Sequence, residues 1–154
     1  MASLKDFFPD GVVRAAIERR LKPGAVIKVV QQMDDGQEHP KRFVVVQVCD
    51  NVIACVMNSE INPIIARNPD TLRCQVGLSK ALPYTDKDCH LDCSRLRILA
   101  KADVVDQLIA RDDGLLGDID EVVRDQMVAA IKSSKTIAVI DAIEACESLA
   151  AITF

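Results

Sequence analysis

The chain has 154 residues, of which 49% are hydrophobic, 27% charged and 3% aromatic. This length and balance indicate one domain with a sizeable core and exclude a disordered or fibrous protein. The scarcity of aromatic residues argues against base stacking as the main means of binding single-stranded nucleic acid. Residues 1–101 hold 15 Lys and Arg against 12 Asp and Glu, whereas residues 102–154 hold 4 against 11. The net charge of −4 therefore hides a basic first part and an acidic last third.

Residues 1–22 carry charges throughout and lack the apolar run of a signal peptide. No other stretch approaches the ~20 consecutive apolar residues that a membrane helix needs. We therefore predict a cytoplasmic protein with no membrane association. In that compartment the six cysteines are expected to be reduced and mostly buried rather than paired in disulfides: Cys49, Cys55, Cys74, Cys89, Cys93 and Cys146.

The first predicted element is an amphipathic helix over residues 8–21, which Pro23 and Gly24 end. Its apolar stripe consists of Val12, Val13, Ala16, Ile17 and Leu21. The cations between them are typical of a solvated helix face.

Five short runs rich in β-branched residues follow, at 25–30, 43–49, 52–57, 74–78 and 95–99. Turn residues separate them, and Asp50-Asn51 between two of the runs predicts a tight hairpin. Because no helical pattern lies between the runs, we predict an antiparallel barrel or a strongly curled sheet.

The last third is predicted to be helical, with segments at 102–109, from Asp118 or Asp120 to 131, and at 138–150. Either aspartate can cap the second of these helices. The resulting expectation is an α+β fold, with a small antiparallel β-barrel of five or six strands, one N-terminal helix and two or three C-terminal helices. Within this single domain, residues 1–23 form the N-terminal helix, 24–101 the barrel and 102–154 an acidic helical part packed on it.

Glycine-rich phosphate loops, HExxH and GxSxG are all absent from the sequence. The segment Cys89-His90-Leu91-Asp92-Cys93 is the one cluster with metal-ligand residue types. Its spacing differs from the CxxC of common zinc sites, and no second ligand pair follows. We therefore favour a turn that leads into the last strand, and we predict neither a metal nor a cofactor.

Two polar segments adjoin the apolar runs and each has two interpretations. Asn58-Ser59 and the residues up to Pro63 follow the third run, where they either satisfy the loop backbone or place a hydroxyl at the edge of a pocket. Lys41-Arg42 open the most apolar run, either as edge-strand charges or as anion-binding cations held on a rigid element.

Taken in order, these segments form a layout: Gly24-Ala-Val-Ile-Lys-Val29, then Lys41-Arg42 before a valine-rich run, then a run that ends at Asn58-Ser59. This layout resembles the PemK/MazF family of toxins from type II toxin–antitoxin systems. The stretches at 58–63, 72–76 and 92–94 are also similar to a PemK-like subgroup. The resemblance covers about residues 24–100, and it departs from the family pattern at Phe43, which stands where the family has proline.

The resemblance implies an SH3-like barrel, usually a homodimer, that cleaves single-stranded RNA without a metal and is restrained by an antitoxin protein. The family's arginine and hydroxyl residue, which act on the scissile phosphate, fall on Arg42 and Ser59. Such cleavage needs a base, a task for which histidine is the usual residue near neutral pH, and His39 lies three residues before Arg42. Further contacts to RNA are assigned to Lys41, Asn58 and Arg67.

The acidic last third gives the alternative, in which carboxylates cover the basic face of the barrel and compete with RNA. The chain would then be a catalytically inactive interaction module that binds a protein partner. A third interpretation is a solubilising helix surface, because surface ion pairs are weak. The carboxylates concerned are Asp112, Asp113, Asp118, Asp120, Glu121 and Asp125.

Overall fold

The computed structural model describes residues 4–154, so the first three residues of the predicted N-terminal segment lie outside it. A 3₁₀ turn at Leu4–Phe7 precedes the first helix. The six helices of the described chain are α1 (Asp10–Arg20), α2 (Pro63–Arg67), α3 (Pro69–Leu72), α4 (Lys101–Ala110), α5 (Glu121–Ser133) and α6 (Val139–Ala150). None of these helices is long and apolar enough to cross a bilayer.

Six strands form one sheet in the order β4-β5-β3-β2-β1-β6, and every neighbouring pair is antiparallel. Their bounds are β1 (Ala25–Gln32), β2 (Glu38–Val48), β3 (Asn51–Asn58), β4 (Gln75–Leu78), β5 (Cys89–Ala100) and β6 (Leu115–Asp118). The pairing register shifts within β1, within β2 and between β3 and β5. Such bulges bend strands, and here the sheet curls into a half-barrel. The predicted α+β class with a curled antiparallel sheet is therefore confirmed.

Both faces of the sheet are covered by helices, which explains the unbroken valine run of β2. Phe43 and Val45 pack toward a core shared with α1 and α4, whereas Val44 and Val46 pack toward a core shared with α5 and α6. All four side chains are buried to 1% exposure or less. A strand buried on both faces is continuously apolar and does not show the usual alternation of apolar and polar residues.

The three helices predicted for the last third of the chain are confirmed as α4, α5 and α6. In the middle of the chain the helix arrangement differs from the prediction. The sequence shows no helical pattern between its apolar runs, whereas the structure has the short helices α2 and α3 there. Asn62 accepts from the backbone N–H of Ile64, and Asn68 accepts from that of Asp70. Each asparagine is the N-cap of its helix and precedes a proline at the first helical position, which favours a helix start at both places.

The strand β6 lies within the part that was predicted to be helical apart from glycine stops. It pairs with β1, and the Ile119 N–H donates to the Gly24 carbonyl at 2.9 Å. A strand of four residues is too short to show a period in the sequence, and Gly117 within it adopts φ 144°, which glycine alone tolerates well. The segment at 89–93, predicted as a turn, is also strand, because it forms the first part of β5.

The hairpin prediction is confirmed, since β2 and β3 are adjacent and Cys49-Asp50 connect them. All six cysteines are free thiols, as predicted. Five of them are buried, and only Cys49 is exposed.

Asp120 is the residue that caps α5. Its Oδ1 accepts from the Val123 N–H at 2.9 Å, whereas Asp118 ends β6. Replacement of Asp120 by alanine leaves this N–H without its partner, so we expect a loss of about 1 kcal/mol in the free energy of unfolding. Urea denaturation measures the loss, with Asp118→Ala as the matched control. An equal loss in both variants would contradict the assignment of the cap.

Candidate functional site

Two adjoining cavities lie at the ends of β2 and β3 and share Pro40, Lys41 and Asn58 in their walls. The smaller one, hereafter the basic cavity, has a volume of about 240 Å³. The larger one, hereafter the wide cavity, has a volume of about 810 Å³ and extends toward β5 and the segment before α2. Lys41 and Asn58 therefore form a partition between the two spaces.

The basic cavity carries four cations and one carboxylate in its wall. Lys28 on β1 and Arg42 on β2 are directly paired across the two strands. Like charges at opposed positions of an antiparallel pair destabilise it. An anion bound between them would relieve that repulsion. The charged residues of the wall are Lys28, Lys41, Arg42, Lys87 and Asp86.

Arg42 is held by the single carboxylate of this wall. Its Nη1 lies 3.0 Å from Asp86 Oδ1 and its Nη2 lies 3.4 Å from Oδ2. Its Nε is buried and has no acceptor, so one donor of the guanidinium is left unused. Arg42 also lowers the pKa of Asp86, first through the hydrogen bond and then through its charge. Because the Asp86 side chain is 64% exposed, the pair sits at the surface and is weakly held.

Ser59 follows β3 directly and lines the same cavity as Arg42, as does Asn58. The exit of β3 therefore brings a hydroxyl and an amide to the place where β2 brings two cations. Four of the residues assigned to the site from the sequence share this cavity: Lys41, Arg42, Asn58 and Ser59.

Lys41 differs from Arg42 because no carboxylate among the described residues forms an ion pair with it. Its Nζ donates to Asn58 Oδ1 at 3.0 Å in a half-buried position. Burial lowers the pKa of Lys41, and the positive charges of Arg97 and Lys87 lower it further.

His39 and Arg67 lie outside the basic cavity. His39 lines the wide cavity, where its Nε2 lies 2.7 Å from Asp35 Oδ2. Arg67 is the last residue of α2 and lines neither cavity. Their roles in catalysis and RNA binding stay predictions.

The wide cavity has cations that are already paired. Asp34 accepts from Arg95 at 3.1 Å and from Arg97 at 3.1 and 3.2 Å. The hydrogen bond from Arg97 lowers the pKa of Asp34, although partial burial opposes it. This cavity therefore offers mixed polar and apolar walls and less unpaired positive charge than the basic cavity.

A buried carboxylate shapes the side of the wide cavity formed by β5. Asp92 is 4% exposed, and its Oδ1 accepts from the Ser94 N–H, the Ser94 hydroxyl and Gln75 Nε2. These bonds lie where the β3–β5 register shifts, so they hold the irregular part of β5 in place. Sequence analysis assigned Asp92 to a turn and missed this role.

Sequence analysis also missed Lys28, Asp86 and Lys87. Lys28 is a lone cation in an apolar run, and this pattern could have marked it as a candidate site residue. Only the β1–β2 register shows that it lies opposite Arg42. Asp86 and Lys87 lie in an irregular segment whose path a pattern of residues does not predict.

The acidic last third does not contribute to the basic cavity, whose described wall includes no residue from 101–154. Glu121 and Asp125 pair with Arg124 of their own helix, and Asp120 caps that helix. None of the carboxylates of that hypothesis lines the basic cavity, so the wall of this cavity does not support the idea that they cover the basic face.

Among residues 4–154, no group of three or more His, Cys, Asp or Glu side chains is arranged to hold a metal ion. Comparison with models of known protein families gives no match, and comparison with curated proteins gives none either.

Proposed function

We propose that the chain is a PemK/MazF-like endoribonuclease with an SH3-like sheet, and that its basic cavity binds the scissile phosphodiester of single-stranded RNA without a metal. The observation that carries this proposal is the composition of one wall, in which four cations face one carboxylate beside the Ser59 hydroxyl. Oxygens of a phosphodiester match such donors, and arginine matches them in shape as well as charge.

Each residue has a distinct task in this proposal. Arg42 clamps the phosphate oxygens and stabilises the charge that develops on them in the transition state. Ser59 and Asn58 hydrogen-bond the phosphate or the ribose and do not attack it. Lys28 and Lys87 attract the backbone, a contribution that weakens as salt rises.

The continuity of the two cavities favours a polymer over a small phosphate compound. An RNA strand whose phosphate occupies the basic cavity passes the Lys41–Asn58 partition. The wide cavity has room for the neighbouring nucleotide. The mixed polar and apolar walls of the wide cavity suit a base better than a second phosphate.

The test is incubation of the protein with a mixed single-stranded RNA in EDTA, followed by end-group analysis. We expect products that end in a 2′,3′-cyclic phosphate and begin with a 5′-hydroxyl. Single-stranded DNA of the same sequence is the control and is expected to stay intact, because it lacks the 2′-hydroxyl. Intact RNA, or equal cleavage of the DNA, would contradict the proposal.

Asp86 competes with the phosphate for Arg42, so Asp86→Asn is expected to tighten RNA binding. Removing one unit charge a few ångströms from a bound anion in water changes the affinity by roughly fivefold. Fluorescence anisotropy with a 2′-O-methyl oligonucleotide measures the Kd without cleavage. The control is Asp106→Asn, which frees the remote Arg14 in the same way. A weaker or unchanged affinity in Asp86→Asn would show that the phosphate does not meet Arg42.

A second candidate function is that of an interaction module that binds a protein, whether an antitoxin or a second copy of the chain. It is favoured by an apolar cavity of about 410 Å³ between α5 and α6. Val139 at its edge is 77% exposed and the neighbouring Ile140 is 61% exposed. If RNA is neither bound at low salt nor cleaved, this second function is the better account.

A further inference from the structure

We propose that Lys41 Nζ takes the proton from the attacking 2′-hydroxyl, which makes Lys41 the general base of the reaction. This inference rests on the proposed function. It assigns to Lys41 a task beyond attraction for the RNA backbone, and it moves the task of base away from His39.

Position is the first argument. A general base must lie next to both the phosphate and the ribose that precedes it. Lys41 is the charged residue that lines both cavities, because it stands in the partition with Asn58. An RNA strand that runs from the wide cavity to the basic cavity brings a ribose past this partition. His39 lines the wide cavity only and is bound to Asp35.

The partners of Lys41 are the second argument. A lysine paired with a carboxylate holds its proton, whereas Lys41 Nζ donates to the neutral amide oxygen of Asn58. In the same region Arg42, Arg95 and Arg97 all have carboxylate partners. Asn58 therefore fixes the position of Lys41 without adding a negative charge beside it.

Charged neighbours are the third argument, and they come from every element around the partition. Burial and the cations favour the neutral amine of Lys41, while the carboxylates oppose this effect. Four of those carboxylates are already engaged, Asp34 by arginines, Asp35 by His39, Asp86 by Arg42 and Asp92 by Ser94 and Gln75. The charged and titratable groups of the two cavity walls are Lys28, Asp34, Asp35, His39, Arg42, Glu60, Asp86, Lys87, Asp92, Arg95 and Arg97.

The step balances with water as the only other reactant. The neutral Nζ takes the 2′-hydroxyl proton, the 2′-oxygen forms a bond to phosphorus, and the bond from phosphorus to the 5′-oxygen breaks. The departing 5′-oxygen takes a proton from water at the mouth of the cavity. The resulting ammonium of Lys41 then returns its proton to solvent.

The test compares wild type with Lys41→Arg, which keeps the positive charge but cannot act as a base. We expect the cleavage rate to fall by about 10²–10⁴-fold. The Kd for a 2′-O-methyl oligonucleotide is expected to stay within about threefold of the wild-type value, since a cation remains to attract the phosphates. Lys135→Arg, at an exposed and remote position, is the matched control.

The pH profile separates a base from a positioning role. The cleavage rate of wild type is expected to rise with pH as Lys41 loses its proton, and to level off below the usual range of a lysine. Acetic anhydride labelling of the whole protein as a function of pH gives an independent measure. Lys41 is expected to become reactive at lower pH than Lys135, and the bound oligonucleotide is expected to protect it.

The outcomes distinguish failure of the inference from failure of the proposed function. If wild type neither binds nor cleaves RNA, both fall. If wild type cleaves and Lys41→Arg cleaves equally, only the role of Lys41 as a base is overturned. If Lys41→Arg loses binding and cleavage to the same extent, Lys41 is a binding residue and the inference is wrong.

Discussion

Replacement of Arg42 by alanine is expected to lower the rate of RNA cleavage by about 10²–10³-fold, the usual effect of removing one aligned donor from a transition state. Arg42 lines the basic cavity together with Ser59 and is paired across the strands with Lys28. Kinetics with saturating RNA measure the loss. We expect it in kcat, because the guanidinium interacts most strongly with the charge that develops during the reaction.

The same substitution is expected to leave the fold in place. Arg42 is paired only with the exposed Asp86, and its Nε has no acceptor to lose. We therefore expect the melting temperature to fall by no more than about 4 °C. Arg14→Ala is the matched control, because Arg14 has a comparable exposed partner in Asp106 but lies on α1. Equal cleavage by Arg42→Ala and Arg14→Ala would remove Arg42 from the mechanism.

Replacement of Phe43 by alanine is expected to cost about 3–5 kcal/mol in the free energy of unfolding, since it leaves a large cavity in a packed core. Phe43 is 1% exposed and packs between the sheet and the helices α1 and α4. At about 2–4 °C per kcal/mol for a domain of this size, the melting temperature is expected to fall by roughly 6–20 °C. Thermal and urea unfolding measure the effect.

The control for Phe43→Ala is Phe7→Ala. Phe7 is 73% exposed in the 3₁₀ turn before α1, so its removal is expected to change stability by no more than about 0.5 kcal/mol. Similar losses in the two variants would contradict the orientation of β2. That orientation matters for the site, because it decides that Arg42 points to the face opposite Phe43.

Phe43 also has a role in the sheet that proline, the residue expected at this position from the resemblance, would not fill. Residue 43 lies in a central strand, paired with Ile27 on one side and Val56 on the other. A proline there removes a backbone donor from the ladder. Phenylalanine keeps the backbone N–H donor, and its side chain fills the core. Packing of this side chain therefore holds the first part of β2 in place.

Local patterns in the sequence were sufficient to predict most of the elements. The β-branched runs and the Asp50-Asn51 turn predicted the β2–β3 hairpin, and apolar spacing predicted α4, α5 and α6. The short elements were missed for a physical reason. A four-residue strand such as β6 has no period to detect, and the strand forms because β1 offers it an open edge.

Only part of the candidate site was predicted, because some of its residues come together through tertiary structure alone. The family resemblance assigned Arg42 and Ser59 to the site, and both residues line one cavity of the structure. Lys28 and Lys87 reach the same cavity through strand register and loop path, which are tertiary properties. His39 was assigned by its nearness to Arg42 in the sequence, but its side chain lines the wide cavity and pairs with Asp35.

The central claim is tested most directly by NMR that locates the binding site of a phosphodiester. The ligand is a 2′-O-methyl oligonucleotide, which cannot be cleaved. We expect the Nε–H signal of Arg42 and the amide signals of Asn58 and Ser59 to shift together and to saturate with one Kd, while the Nε–H signal of Arg14 stays unchanged. Shifts confined to other surfaces, or no saturable shifts at low salt, would contradict the assignment of the basic cavity as the RNA site.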